Sequence, residues 1–134
     1  MTIDTNAADN IYLTSKILKD QIKGGEEVLA LESNYGPASG FSSLKVSDNG
    51  TGSTRFVGSI NVTGTPGANE KFTTLPLNYR PSEQLMILSA REVGGNSGAP
   101  IHINIAADGS ATFVGTALQN DIFHFNVEFY RDNA

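Results

Sequence analysis

The chain has 134 residues, 14 of them glycine, with 17% charged residues and a formal net charge of −5. That length holds one domain with a useful core, and an acidic balance without any basic cluster argues against non-specific binding to DNA or RNA. Cysteine is absent, which excludes disulfides, a thiolate nucleophile and any cysteine-ligated metal.

No apolar run reaches the length of a membrane span. The N-terminal MTIDTNAADN has neither the basic nor the apolar region of a signal peptide, so a soluble chain without membrane insertion is expected. Asp9 or Asn10 can cap a helix over Ile11–Lys23, whose stripe is Ile11, Leu13, Ile17, Leu18 and Ile22. A helix this short is marginal alone. Either it packs on its own domain or it bundles with copies of itself at an oligomer axis. Gly24-Gly25 ends it, which divides the chain into an N-terminal segment, 1–25, for assembly or docking and a β domain, 26–134.

Beyond that break the periodicity is strand-like. Val28–Leu31 reads as a short strand before the loop Ser33–Gly40, and Leu44-Lys45-Val46 as a second before the turn Ser47–Gly50. Thr54–Thr63 is longer, with Phe56, Gly58, Ile60 and Val62 on one face and Arg55, Val57, Ser59 and Asn61 on the other. Gly58 in mid-strand predicts a bulge or a close backbone approach. Thr63–Gly67 is a loop, Phe72–Leu75 a strand, and Tyr79-Arg80-Pro81 restricts the chain before the next one.

The clearest stretch runs from Phe72 to Gly115. Leu85–Ala90 is apolar enough to bury most of both faces, Ile101–Ile105 alternates cleanly, and Ala107-Asp108-Gly109-Ser110 turns into Ser110–Val114. Gly94–Gly98 between the first two strands reads as a segment that is either mobile or folded around a ligand. Ile122–Tyr130 closes the fold, with Phe123, Phe125, Val127 and Phe129 on one face and His124, Asn126 and Glu128 on the other. The sum is an all-β, antiparallel barrel or sandwich of about seven to eight strands, since no crossover helix follows Gly25.

Catalytic signals are weak. The units His102-Ile-Asn104 and His124-Phe-Asn126 each point two polar side chains to one face, and would merge into one patch if their strands were neighbours. Asn is a poor zinc ligand, so no metal is expected there. G-x-S-x-G in a strand-to-helix elbow is absent, no pair of carboxylates is selected for glycoside hydrolysis, and Asp48-Asn49-Gly50 and Asp108-Gly109 are turns rather than calcium loops. No glycine loop opens a helix to hold phosphate, and no cofactor is expected. Arg55, Arg80, Arg91, Tyr35 and Tyr79 remain, and Arg80 either clamps an anion or ties its own loop. Binding is favoured over enzyme activity: His, Asn and Arg beside an aromatic suit sugar hydroxyls and an apolar sugar face.

Two segments carry a resemblance. TLPLNYRP looks like the LP-x-x-YRP signature of C-terminal domains of phage tail-fibre and receptor-binding proteins. ILSAREVGGNSGAPIHINIAADGSATFVG resembles the head domain of receptor-binding proteins from siphophages of lactic acid bacteria. The resemblance implies a helical shoulder at a three-fold axis, a β-barrel head binding host cell-surface saccharide near protomer boundaries, and a place in the virion at the tail tip or baseplate. It puts His102 at the family histidine, Asn104 where the family often has Asp, and Phe113 at an aromatic that lines the saccharide site. Arg91, His124 and Asn126 complete the expected ligand set. The implied partners are the host saccharide, two further copies in a homotrimer, and other baseplate proteins through the N-terminal segment. A structural tail accessory without a sugar site and a solitary lectin are the alternatives.

Overall fold

A computed structural model describes residues 25–50 and 52–131. The expected helix over Ile11–Lys23 lies outside the described residues. Within them are nine strands: β1 Glu26–Val28, β2 Tyr35–Pro37, β3 Lys45–Asp48, β4 Ser53–Val62, β5 Lys71–Thr74, β6 Leu85–Val93, β7 Asn96–Ile105, β8 Ser110–Val114 and β9 Ile122–Tyr130. One 3-10 turn, Leu77–Tyr79, separates β5 from β6. All strand pairings are antiparallel, in the order β1-β3-β4-β9-β6-β7-β8-β5, with β2 on β4 beside that path.

The sheet curls into a half-barrel because its inner face is lined with aromatic rings that meet across the strand order. Phe72 of β5 stacks on Phe125 of β9 at 5.5 Å between centroids, although three strands separate them along the sheet. Phe113 lies between Phe72 (4.6 Å) and Phe123 (4.8 Å), and Phe56 meets Phe125 edge-on at 5.0 Å. Each such buried ring is worth roughly 1.5–3 kcal/mol over leaving it in water. The free edge of β5 then meets the chain ahead of β2: Leu31 bridges Thr73, the Glu32 N–H donates to the Phe72 carbonyl at 2.9 Å, and the Thr73 hydroxyl donates to the Ala30 carbonyl at 2.7 Å.

β4 is the organising strand. β9 pairs along one edge from Ser53 to Asn61, while the other edge is shared by β3 at Thr54–Val57 and β2 at Ile60–Val62. In the interval between them the segment Ser42–Leu44 crosses against Gly58. A Cβ on Gly58 would sit 2.3 Å from the Ser43 carbonyl oxygen, so the mid-strand glycine marks a close backbone approach, with no shift in the β4–β9 register.

Three expectations are corrected. Tyr35–Pro37, read as loop, is an edge strand, where Pro37 is tolerated because an edge position does not need every N–H. The glycine-rich segment, read as a break between two strands, is the tight two-residue hairpin that joins them: Val93 pairs with Asn96, and Gly94 and Gly95 have φ of 58° and 81°. The first strand lies at Glu26–Val28 rather than Val28–Leu31. Arg80 resolves as a loop tie, its Nε donating to the Leu75 carbonyl at 2.8 Å.

Candidate functional site

The two H-x-N units do not merge. β6 stands between β7 and β9, so His102 is paired with Leu88 and Val114, while His124 is paired with Ala90 and Ser59. Two inter-strand steps of about 4.8 Å separate them. The outward face thereby carries one polar group of side chains on β4, β9 and the end of β6, apart from His102 of β7, which stands among the exposed apolar side chains of Leu88 and Val114.

In the polar group His124 is the centre. Its Nδ1 lies 2.7 Å from the Ser59 hydroxyl and its Nε2 3.0 Å from Glu92 Oε2. Glu92 reaches it because β6 pairs with β9 through Ala90, Arg91 and Glu92, with Ala90 opposite His124, so that Glu92 stands two residues along on the same outward face. Phe41, 49% exposed, packs edge-on against the imidazole at 4.6 Å between centroids. It is carried there by the same Ser42–Leu44 crossing that Gly58 admits, fixed by the Ser59 N–H donating to the Ser42 carbonyl at 2.9 Å.

One pair further along, Asn126 is exposed and its Oδ1 accepts from Arg55 Nη2 at 3.2 Å. Glu128, the cross-strand partner of Arg55, accepts from the Ser53 hydroxyl at 2.9 Å and from the Asn49 amide. The strip thus offers carboxylate acceptors, guanidinium and carboxamide donors, and one exposed ring. These are the groups that bind hydroxyls and the apolar face of a sugar.

The other residues singled out in the sequence stand elsewhere. Phe113 is 1% exposed and buried among Tyr35, Phe72 and Phe123, so it cannot stack on a ligand; the period-two alternation that puts Ala111 inward puts Phe113 inward too. Arg91 turns inward over Phe123 and is bound to Asp121, with Nε and Nη2 at 2.9 and 2.5 Å from Oδ2. Asp121 is 2% exposed and also accepts the Leu118 N–H, so the pair is a structural corner, outside the exposed strip. His102 is exposed, bracketed by Leu88 (59% exposed) and Val114 (43%), with Met86 (57%) beside Asn104. The Asn104 Oδ1 is buried and has no hydrogen-bond partner among the described residues.

Residues the sequence reading did not select include Phe41, Ser59 and Glu92. Ser59 shares a strand face with Arg55 in the alternation of β4, but nothing local marks Phe41, which is placed by a crossing between distant segments. Among the described residues no group of three or more His, Asp or Glu is placed to hold a metal, and no helix is long and apolar enough to cross a membrane.

A clamp organises the loop after β4. Glu70 accepts from Asn34 Nδ2 at 2.8 Å, the Tyr35 hydroxyl at 3.1 Å and the Gly67 N–H at 2.9 Å. The Asn34 bond first, and the Gly67 N–H after it, hold the Glu70 carboxyl below its ordinary value. Burial, reinforced by the adjacent carboxylate, pushes the Tyr35 phenol well above its own.

No family model matches the chain, and no curated protein matches it in sequence. Among solved structures the fold is similar to the crystal structure of the receptor binding protein (gp15) of Listeria phage PSA, with a TM-score of 0.64 at 14% sequence identity. The match covers 93% of this chain and 76% of that one, so the curled half-barrel described above is a fold that this chain has in common with a phage receptor binding protein.

Proposed function

We propose that this protein is a receptor-binding component of a phage tail that recognises a host cell-surface saccharide through the outward strip of β4 and β9. The observation that carries the reading is the strip itself: an exposed Phe41 ring set against His124, beside Asn126, Arg55 and Glu92. The shared fold with a phage receptor binding protein supports the tail assignment.

Three copies assemble, and the N-terminal segment docks to other tail-tip or baseplate proteins. The uncharged outward face around Met86, Leu88 and Val114 supports a contact with protein, because exposed apolar groups at adjacent register positions gain from being covered. Each site binds weakly, and three held together bind a decorated cell tightly.

The reading is of a binding protein and not a hydrolase. Ser59, His124 and Glu92 are arranged like a nucleophile, base and acid, but Ser59 is 5% exposed in mid-strand and its own N–H is spent on the Ser42 carbonyl. An acyl-transfer site needs N–H donors directed at the oxyanion.

The test is binding of the full chain to cell-wall polysaccharides of lactic acid bacteria and Listeria, with sedimentation for mass. Asn126→Ala and Arg55→Ala together are expected to weaken binding at least tenfold while leaving the trimer and the unfolding midpoint unchanged. A monomer, or wild-type binding by the double variant, refutes the corresponding half of the proposal.

A further inference from the structure

The outward strip does not end at Glu128. β9 pairs with β4 without a register shift from Ile122 to Tyr130, so the period of two keeps His124, Asn126, Glu128 and Tyr130 in one line on the outer face. Tyr130 closes that line. Its ring is 77% exposed, and Ser53, its cross-strand partner, is too short to cover it. At about 3.3 Å per residue, the run from His124 to Tyr130 covers roughly 20 Å.

The far end of the line is pinned. Arg131, the next residue, donates its N–H to the Gly52 carbonyl at 3.1 Å, and its guanidinium bonds Asp48 Oδ1 at 2.8 Å and the Asn78 carbonyl at 3.1 Å. The Arg131 and Asp48 side chains are 8% and 5% exposed, so this tie is enclosed. A tyrosine ring on so fixed a backbone offers contact area at little cost in conformational freedom. Phe41 supplies a second exposed ring at the His124 end. Between the two rings stand the hydrogen-bonding groups of Asn126, Arg55 and Glu128.

We propose that the strip binds several consecutive units of a neutral polysaccharide laid along β9, with Phe41 and Tyr130 as platforms at its two ends. This rests on the saccharide-binding reading and specifies the form of the ligand. One pyranose ring cannot touch both aromatics at that spacing. An oligosaccharide stacks at each end and meets carboxamide, guanidinium and carboxylate groups between them. Charge selects a neutral chain. The outward faces of β1, β3, β4, β9 and the end of β6 carry Lys45 and Arg55 against Glu26, Glu92 and Glu128. A protonated His124 brings that balance to zero and no further, so the strip has no net positive charge to draw a phosphodiester-linked polymer.

The experiment uses the full chain and the cell-wall polysaccharide of the Listeria or lactic acid bacterial strain that it binds. The polymer is partly hydrolysed, parted by anion exchange into neutral and anionic fragments, and sized from monosaccharide to hexasaccharide. Titration calorimetry reads affinity. Neutral fragments are expected to gain at least tenfold, about 1.4 kcal/mol, between disaccharide and hexasaccharide. Tyr130→Ala removes that gain while leaving disaccharide affinity and the unfolding midpoint unchanged, and Tyr130→Phe retains it. A long fragment that bridged two copies of the chain would gain affinity without needing Tyr130. Affinity independent of length, a full gain in Tyr130→Ala, or tighter binding of the anionic fragments overturns the proposal. If the wild-type chain then still binds fragments and the Asn126→Ala, Arg55→Ala double variant does not, only the extended site falls. If the wild-type chain binds no cell-wall polysaccharide, the receptor reading falls with it.

Discussion

Gly58→Ala tests the link between the fold and the site in a single methyl group. Gly58 has φ +129°, a conformation that costs an L residue about 1–3 kcal/mol. The new Cβ would lie 2.3 Å from the Ser43 carbonyl oxygen and 2.6 Å from the Leu44 Cα. Both are backbone atoms, so no side chain can swing away, and relieving the overlap costs roughly another 1–3 kcal/mol. The sum, roughly 2–6 kcal/mol, is a large part of the ~5–15 kcal/mol that holds a domain of this size. With a urea slope of about 1–1.5 kcal/mol/M, the midpoint should fall by more than about 1 M. The retreat of Ser42–Leu44, about 1 Å to restore ordinary contact in a close-packed structure, also draws Phe41 away from His124. Urea unfolding followed by circular dichroism reads the first effect, and the His124 ring proton shifts read the second. A loss below about 0.5 kcal/mol, or unchanged His124 shifts, refutes the argument that the crossing at Gly58 positions the strip.

Phe113→Ala should cost about 3–5 kcal/mol in equilibrium unfolding, yet leave saccharide selectivity in the surviving folded fraction unaltered, because the ring is buried in the core. Asp121→Asn leaves Arg91 without its charge partner in a mostly enclosed corner and should destabilise by about 3 kcal/mol, measured by the same unfolding curve. Glu70 gives a pH dependence of definite sign. Its folded-state pKa is depressed, so its contribution is present above the unfolded value of about 4.3 and is lost as pH falls through the lower folded value. Urea midpoints taken from pH 6 downward through the acid range should therefore decline more steeply in the wild type than in Glu70→Gln.

Sequence alone determined the class of fold and most of its strands. β8 and β9 fall at the expected residues, because a strand with one buried face writes its period of two directly into the chain, as Phe123, Phe125 and Phe129 do against Asn126 and Glu128. The same alternation already places His124 and Asn126 outward. It also turns Phe113 inward, against what the resemblance implied for that residue. Strand order is a different matter, since period-two patterns say which face a residue takes and nothing about which strand lies next to it. Only the tertiary structure put β6 between the two histidine strands, parting His102 from His124, and only the pairing of Ala90 with His124 brought Glu92 to the imidazole. The exposed ring at Phe41 depends on contacts between segments far apart in the chain, which no local pattern encodes.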